Sequence, residues 1–392
     1  MNSSFDVIIV GAGAAGLICS SSAGKFGRKV LLLEHSERVG KKILISGGGR
    51  CNFTNLTIAP DNFISANPFF CKSALSRYSQ NDFIELVEKY NIPYHEKEFG
   101  QLFCDNKSSD IVNMLLKECI DSGVEIRTSC TIDKINKQNK FTLHTNAGIF
   151  EAESLVIATG GLSIPKMGAT DFGLKAADQF GINIIPCRPG LVPLLLNEKM
   201  IRKLGDLAGI SADSVVSCGK RSFRGSILFT HKGLSGPAVL QISNYWNDGQ
   251  EISINFLPEA DLKEQIRKWK VEKPKAELKN LLSALLTKRL SHRLLLMNHG
   301  DKPVNQYNEK EISEIADTFH QWKVIPSGTD GFEKAEVTLG GIDTRELSSK
   351  TFECKKVKGL FFIGEVVDVT GWLGGYNFQW AWSSGFCAGQ YV

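Results

Sequence analysis

Six consecutive residues, Gly11-Ala12-Gly13-Ala14-Ala15-Gly16, carry three glycines at a spacing suited to a pyrophosphate. Gly11 permits a tight turn, Gly13 lets the backbone approach phosphate oxygens, and Gly16 lets a helix pack close to a sheet. The phosphates would rest on free N–H groups at the positive end of the helix dipole. Glu34, eighteen residues past Gly16, is placed to accept hydrogen bonds from both hydroxyls of an adenosine ribose. A second glycine group, Ser46-Gly47-Gly48-Gly49-Arg50-Cys51-Asn52, makes a poor helix and a poor strand but can turn N–H groups toward a ligand. There Arg50 suits a phosphate or a ring carbonyl, and Asn52 a ring edge. Ala158-Thr159-Gly160-Gly161 closes one apolar run, and Phe361-Phe362-Ile363-Gly364-Glu365 ends another on an acid suited to a ribityl hydroxyl. Gly371-Trp372-Leu373-Gly374-Gly375-Tyr376-Asn377 sets a helix N-terminus where it could meet O2 and N1 of a flavin, and its dipole favours negative charge on a reduced ring. Each later element alone is ordinary packing. Together with the first they specify FAD well and NAD poorly.

Three side chains are candidates for acid–base work. Cys51 lies inside the second glycine group, and Cys104 lies in a polar stretch, Gly100 to Asp105. A thiol can donate a proton opposite a hydride during reduction of a carbon–carbon double bond. The commoner role of either cysteine is that of a small buried apolar side chain. His231, after an apolar run ending at Phe229, is the best-placed histidine, although a hydrogen-bonded structural role suits it equally. No second GxGxxG with strand context occurs, and no CxxC. A separate NAD domain is therefore not expected. NAD(P)H would approach the flavin transiently, from its open face.

These residues need elements to hold them. Asp6 to Val10 reads as a strand, the next segment as a helix, and Lys29 to Leu33 as a second strand, a βαβ unit. Two amphipathic helical pieces follow between 75 and 122, then a β meander from Gly123 to Phe150 and a buried strand, Ser154 to Ala158. From Pro186 to about 256 short β segments with Gly and Pro punctuation take over. Residues 258–320 read as helical and basic, and Gly374 to Gly389 as a glycine-initiated helix.

The first and last segments share dinucleotide-fold character and the middle does not, so the expected architecture is discontinuous. Residues 1–188 and 335–392 form the FAD-binding domain, 189–257 and 321–334 an inserted β-rich domain, and 258–320 a basic helical insert. A length of 392 residues suits two or three domains. No apolar run approaches the roughly 20 residues of a membrane span, and no signal peptide is expected. Ten scattered cysteines without metal-ligand spacing point to a reduced, cytoplasmic protein with no metal site. Net charge is +4, yet residues 261–302 hold eleven Lys/Arg against five acids. That run is either a solvated helical face, the commoner case, or a footprint for a polyanion.

The motifs SGGGRCNFTN (Ser46 to Asn55), ATGGLSIPKMGATDFG (Ala158 to Gly173), FTHKGLSGPAVLQIS (Phe229 to Ser243), AEVTLGGIDT (Ala335 to Thr344) and IGEVVDVTGWLGGYNFQWAWSSG (Ile363 to Gly385) resemble those of the YhiN/BaiN-type FAD-dependent flavoproteins, over essentially the whole chain. The resemblance implies an α/β fold: a discontinuous Rossmann-like FAD domain of the GR2 type, an inserted β-barrel-like domain and a small helical domain. It implies cofactor contacts at Gly11, Gly13, Gly16, Glu34, Gly48, Arg50, Cys51, Asn52, Gly160, Gly364, Glu365, Gly375, Tyr376 and Asn377. Neighbouring Ala15, Lys42, Ser46, Gly47, Ile132, Ala158, Thr159 and Gly374 complete the candidate set. Family members are described as NAD(P)H-using flavin reductases. Some resemble bile-acid enone reductases, others an enzyme reducing a uridine of large-subunit ribosomal RNA, and a third label is aminoacetone oxidase. The first two share hydride delivery to a double bond conjugated with a carbonyl.

The basic 261–302 segment raises the ribosomal-RNA branch, because polyanion affinity grows with phosphate contacts. The leading expectation is an FAD- and NAD(P)H-dependent reductase converting a ribosomal uridine to dihydrouridine. Alternatives are a small-molecule enone or amine oxidoreductase, and a flavin-containing RNA-binding or assembly protein without turnover.

Overall fold

Val7–Val10 and Val30–Leu33 are unbroken apolar runs, and every one of these residues is buried. Central strands of a parallel sheet, covered on both faces, have this character. In the computed structural model, which describes residues 3–392, Ser3–Val10 pairs in parallel with Val30–Leu33 on one side and Gly148–Ile157 on the other. Glu125–Arg127 extends the parallel set beyond Val30–Leu33, and Leu360–Phe362 runs parallel to the last residues of Gly148–Ile157. The first half of that long strand pairs instead with Phe141–Thr145, which turns back on Ile132–Lys137 as an antiparallel meander.

The helix Ala14–Lys25 has no polar stripe, and Ala15 through Ala23 are all buried. Such a helix is covered on several sides. One cover is the helix Tyr376–Gly389, brought close by glycine: a Cβ on Gly385 would lie 2.5 Å from the Ala15 carbonyl oxygen. Ser22 Oγ donates to the Phe386 carbonyl across the crossing, at 3.2 Å. A second cover is the helix Ser109–Asp121, whose buried Glu118 receives Lys25, Lys89 (2.6 Å) and the Tyr90 hydroxyl (2.6 Å).

The chain divides into two compact units, residues up to Arg188 with Val337–Val392, and Pro189–Glu336. Each encloses its own hydrophobic core. The second unit carries a seven-stranded sheet in the order Trp322–Val324, Ile252–Asn255, Ser211–Cys218, Arg221–Phe229, Gly233–Ser235, Leu194–Leu195, Gly328–Thr329. Its recorded pairings are antiparallel. The two edge strands are joined by residues 325–327 alone. Laid flat, the edges would stand about 29 Å apart, six spacings of about 4.8 Å. Four peptide steps of about 3.8 Å reach only about 15 Å. The sheet must therefore curl on itself, which makes it barrel-like.

Residues 258–320 supply the helices Leu262–Glu272, Leu278–Leu282, Lys288–Asn298 and Glu309–His320. Asp261 and Asn308 cap two of them through their side chains. Leu262, Ile266, Leu294, Ile312 and Phe319 share one core with Ile252 and Ile254 of the sheet and with Phe256 just beyond that strand. The helical stretch and the strands on either side of it thus form one unit. Among the described residues no helix is long and apolar enough to cross a membrane, and no group of three or more His, Cys, Asp or Glu is arranged to hold a metal.

Candidate cofactor site

The parallel strands of the first unit end together, and the loops beyond their carboxyl ends form the site, as in open α/β sheets generally. Gly11 N–H donates to the Leu33 carbonyl and Ala158 N–H to the Val10 carbonyl, both at 2.8 Å. Gly11 is left-handed (φ 104°), and a Cβ on it would lie 2.5 Å from the Ala158 carbonyl oxygen. A Cβ on Gly16 would overlap the Gly11 carbonyl oxygen, whereas one on Gly13 would meet nothing within 4 Å. Gly13 thus faces open space at the start of the Ala14–Lys25 helix, whose N-terminus has no side-chain cap. Those N–H groups, Ala15 among them, are available to an anion.

Glu34 is 8% exposed, and its carboxylate accepts from Ala12 N–H and Ser36 N–H, each at 2.9 Å. His35 Nδ1 also lies 3.1 Å from Oε1; of the roughly four acceptances a carboxylate offers, at least one, on Oε2, remains for a ribose hydroxyl. Cys130 N–H donates to the Glu34 carbonyl, which puts the Ile132 strand two residues further along.

Lys42, on the short helix Lys41–Ile45, reaches the strand ends. Its Nζ donates to Glu365 Oε2 at 3.0 Å and to Ser163 Oγ at 2.8 Å. Ser163 Oγ donates to Glu365 Oε1 at 3.1 Å, and Thr338 N–H donates to the same oxygen at 3.0 Å. Thr338 Oγ1 accepts from the N–H groups of Leu162 and Ser163. Lys42, Gly160 and Glu365 are thereby brought together, with Ser163 and Thr338 as partners that sequence reasoning did not single out. Both lie inside conspicuous motifs, but nothing local says which carboxylate they serve.

The second glycine group is a run of left-handed residues: Gly47, Gly48 and Gly49 at φ 57°, 66° and 86°, then Cys51 at 49°. A Cβ on Gly48 or Gly49 would meet nothing within 4 Å, and Arg50 is exposed beside them. Ser46 closes the turn, accepting Cys51 N–H at 3.0 Å. Asn52 is used internally. Its amide faces the Gln101 side chain at 3.1 Å and the carbonyls of Thr54 and Leu102. Asn55 donates to the carbonyls of Phe99 and Gly374, tying this loop to the last helix.

That helix begins at Gly375, also left-handed (φ 95°), with no side-chain cap. Tyr376 and Asn377 were expected as cofactor contacts, but their side chains hold the loop instead. The Tyr376 hydroxyl lies 3.0 Å from Thr57 Oγ1, with its ring against Phe63 and Trp372. Asn377 accepts Gly371 N–H and donates to the carbonyls of Gly371 and Trp372. What these two residues can offer a ligand is backbone N–H and helix dipole.

The acid–base candidates need correction. Cys51 and Cys104 are both 0% exposed. Burial pushes the Cys51 thiol far up, against a hydrogen bond from Ser46, and pushes Cys104 up to about 12, with Asp110 and Asp105 adding to it. A protonated thiol without access to the site is a packing group. His231 is exposed and lies in the second unit, which holds none of the cofactor candidates.

The basic run also differs from its sequence appearance. Arg267 pairs with Glu309 (2.7 Å), Lys302 with Glu311 (2.6 Å), and Lys279 with Glu277 and Asp301 (both 3.1 Å). Lys268 lies 3.8 Å from Glu272, and Lys270 Nζ donates to the Tyr307 carbonyl. Two of these five acids, Glu309 and Glu311, lie outside 261–302, so a count along the chain overstates the free charge.

Two uncapped helix starts, an anionic acceptor at Glu34, a lysine among the strand ends and a glycine loop with a free guanidinium fit a dinucleotide bearing a second ring system. A Rossmann-like sheet with this donor set defines an FAD-dependent oxidoreductase. A family model described as HI0933-like protein Rossmann domain matches residues 5–391, and the chain belongs to that family. It is similar to the ribosomal RNA dihydrouridine synthase of Escherichia coli K12, 51% identical over 98% of this chain and 97% of that one. The enzyme of the same name from Haemophilus influenzae is 47% identical, over 97% of each chain. A 3-dehydro-bile acid delta(4,6)-reductase of Clostridium scindens is 28% identical, again over 97% of each. Among solved structures, a 3-ketosteroid-delta4-(5alpha)-dehydrogenase from Rhodococcus jostii RHA1 shares the fold, with a TM-score of 0.50 at 13% identity over 99% of this chain and 97% of that one.

Proposed function

We propose that this FAD-dependent oxidoreductase takes its electrons from NAD(P)H and reduces a uridine of large-subunit ribosomal RNA to dihydrouridine. The observation that carries the reading is the 51% identity, over nearly the full length of both chains, to a relative named for that reaction. When bound, FAD supplies two-electron chemistry: a hydride to one carbon of a carbonyl-conjugated double bond, while a proton goes to the other. The chain's own residues bind and orient. The Gly11–Gly16 turn and the N-terminus of the Ala14–Lys25 helix would hold the pyrophosphate, and Glu34 the adenosine ribose. Lys42, Ser163 and Thr338 hold the Glu365 carboxylate, whose remaining acceptor capacity would serve a ribityl hydroxyl. Gly375 would put the positive end of the last helix beside the ring, where negative charge develops. Cys51 and Cys104 are not assigned the proton, because both are closed off. NAD(P)H, with no binding fold of its own in the motif pattern, would exchange at the same site before the RNA. In this reading the RNA would meet the second unit, where the basic helical stretch 261–302 lies, and a cytoplasmic setting goes with a ribosomal substrate.

Mass spectrometry of ribosomal RNA from cells with and without the gene tests this reading. Dihydrouridine should vanish on deletion and return with the wild-type gene, and an unchanged signal would end the proposal. The bile-acid relative favours a second reading, a small enone as substrate. NAD(P)H consumption with enones, in the absence of RNA, would support it.

A further inference from the structure

A basic face in the second unit draws on residues that a count over 261–302 does not gather. Lys199, Arg202 and Lys203 lie on the helix Glu198–Leu204, and all three are exposed. Lys288, Arg289 and Arg293 lie on the helix Lys288–Asn298, which carries no acid. The helices meet at Gly205, left-handed at φ 61°, where a Cβ would sit 2.7 Å from Arg293 Nη2. Asp206, the next residue, binds Arg289 Nε at 3.3 Å and Arg293 Nη2 at 3.2 Å, which links the two helices at the surface. Glu198 is the other acid, 3.9 Å from Arg202 with both side chains largely in solvent, a pair worth little. Six cations thus face two carboxylates. Among the described residues no carboxylate pairs with Lys199, Lys203 or Lys288.

The Glu198–Leu204 helix also walls a cleft lined by Ile201, Leu204, Leu207, Phe229, Thr230 and His231. An acidic protein would satisfy the cations as well, and the reading of the substrate as ribosomal RNA decides for a nucleic-acid strand. A nucleic-acid strand has both chemistries, because its phosphates bind Lys and Arg with release of counterions, and its unpaired bases settle on rings and apolar surface.

Resting on the reading of this protein as an enzyme of ribosomal RNA, we infer that this face anchors an RNA strand. Its phosphates lie on Lys199, Arg202, Lys203 and Lys288 with the two Asp206-held arginines, and one unstacked base lies over the cleft against His231. The face is an anchor, and it is distinct from the cofactor residues, all of which belong to the first unit.

The test uses the flavin-loaded full chain and a short, unstructured, fluorescent RNA. Joint Lys199→Glu, Arg202→Glu and Lys203→Glu changes should weaken binding about tenfold or more at about 0.1 M salt and make the logarithmic salt slope shallower by about 2, since each lost contact on a single strand removes about 0.7. The equally large reversal Lys263→Glu, Lys273→Glu and Lys275→Glu should change affinity less than about threefold. His231→Ala should weaken binding about threefold with the slope unchanged. Flavin absorbance and melting temperature, held near wild type in all variants, show that each is folded. Binding of the first triple variant at wild-type strength, or equal weakening by the second, would overturn the anchor. An unaffected His231→Ala would overturn the base seat. Cellular dihydrouridine separates the two failures. A deletion strain that keeps it sinks the substrate reading. One that loses it and regains it fully with the first triple variant sinks this surface alone.

Discussion

Gly13 and Gly16 stand three residues apart and do opposite things. Gly13 has free space where a side chain would go, and Gly16 has a carbonyl oxygen there. Gly13→Ala should fold with a melting temperature near wild type yet purify pale, because its methyl intrudes where phosphate belongs. Gly16→Ala should lose about 2 kcal/mol or more of stability, the scale of overpacking against a rigid neighbour. Absorbance near 450 nm and a thermal melt distinguish them, and the order reversed would refute this account. Glu34→Ala leaves the N–H groups of Ala12 and Ser36 without an acceptor and should cost about 1–3 kcal/mol together with flavin content. Cys51→Ala and Cys104→Ala should each keep turnover within several-fold of wild type and lower the melting temperature. A drop of three or more orders of magnitude in turnover with the flavin retained would return the thiols to the chemistry.

Individual elements are held by contacts of long sequence separation, and the acid response reports one of them. Burial alone would raise the Glu118 carboxyl, but hydrogen bonds from Lys25, Lys89 and Tyr90 override it and hold its pKa at about 2. A carboxyl whose pKa is depressed on folding adds stability above its unfolded value, near 4.3, and loses it as pH falls toward 2. Stability should therefore fall across that window, and Glu118→Gln should flatten the fall, read by denaturant melts at each pH. The elements legible from sequence were those with local signatures. Val7–Val10 and Val30–Leu33 announce buried strands by unbroken apolarity, and Gly374-Gly375 announces a helix start. The Lys42–Glu365–Ser163 grouping spans more than 300 residues and has no local signature. The internal engagement of Asn52, Tyr376 and Asn377 was likewise hidden, because a polar side chain near a ligand looks the same in sequence whether it turns outward or inward. The neutralisation of Arg267 and Lys302 depends on Glu309 and Glu311, which fall just beyond the run that made the segment look basic.

Across the whole molecule the two cores are separate, and the cofactor candidates lie in one of them. A ligand stabilises what it binds by RT ln(1 + [L]/Kd), about 2.7 kcal/mol at a hundredfold excess over Kd. Calorimetry with and without added FAD should resolve a transition that moves upward with flavin and another that moves less. A single transition that rises with flavin would mean that the units unfold as one. The discontinuity itself was readable, since the dinucleotide pattern stops after residue 188 and resumes near 335. The curl of the second sheet was implied by the family resemblance alone, because it follows from the three-residue link between its edge strands rather than from any residue type.

In the proposed reading the Gly13 turn and the Gly375 helix start would serve one ligand, and most of the chain is synthesised between them. A nascent chain that has exposed its pyrophosphate turn would then have nothing to place against the isoalloxazine until the Tyr376–Gly389 helix leaves the exit tunnel. Under the proposed reading, capture of the prosthetic group would wait for that helix, and a polypeptide cut short by a premature stop before Gly374 should purify colourless, which absorbance near 450 nm checks.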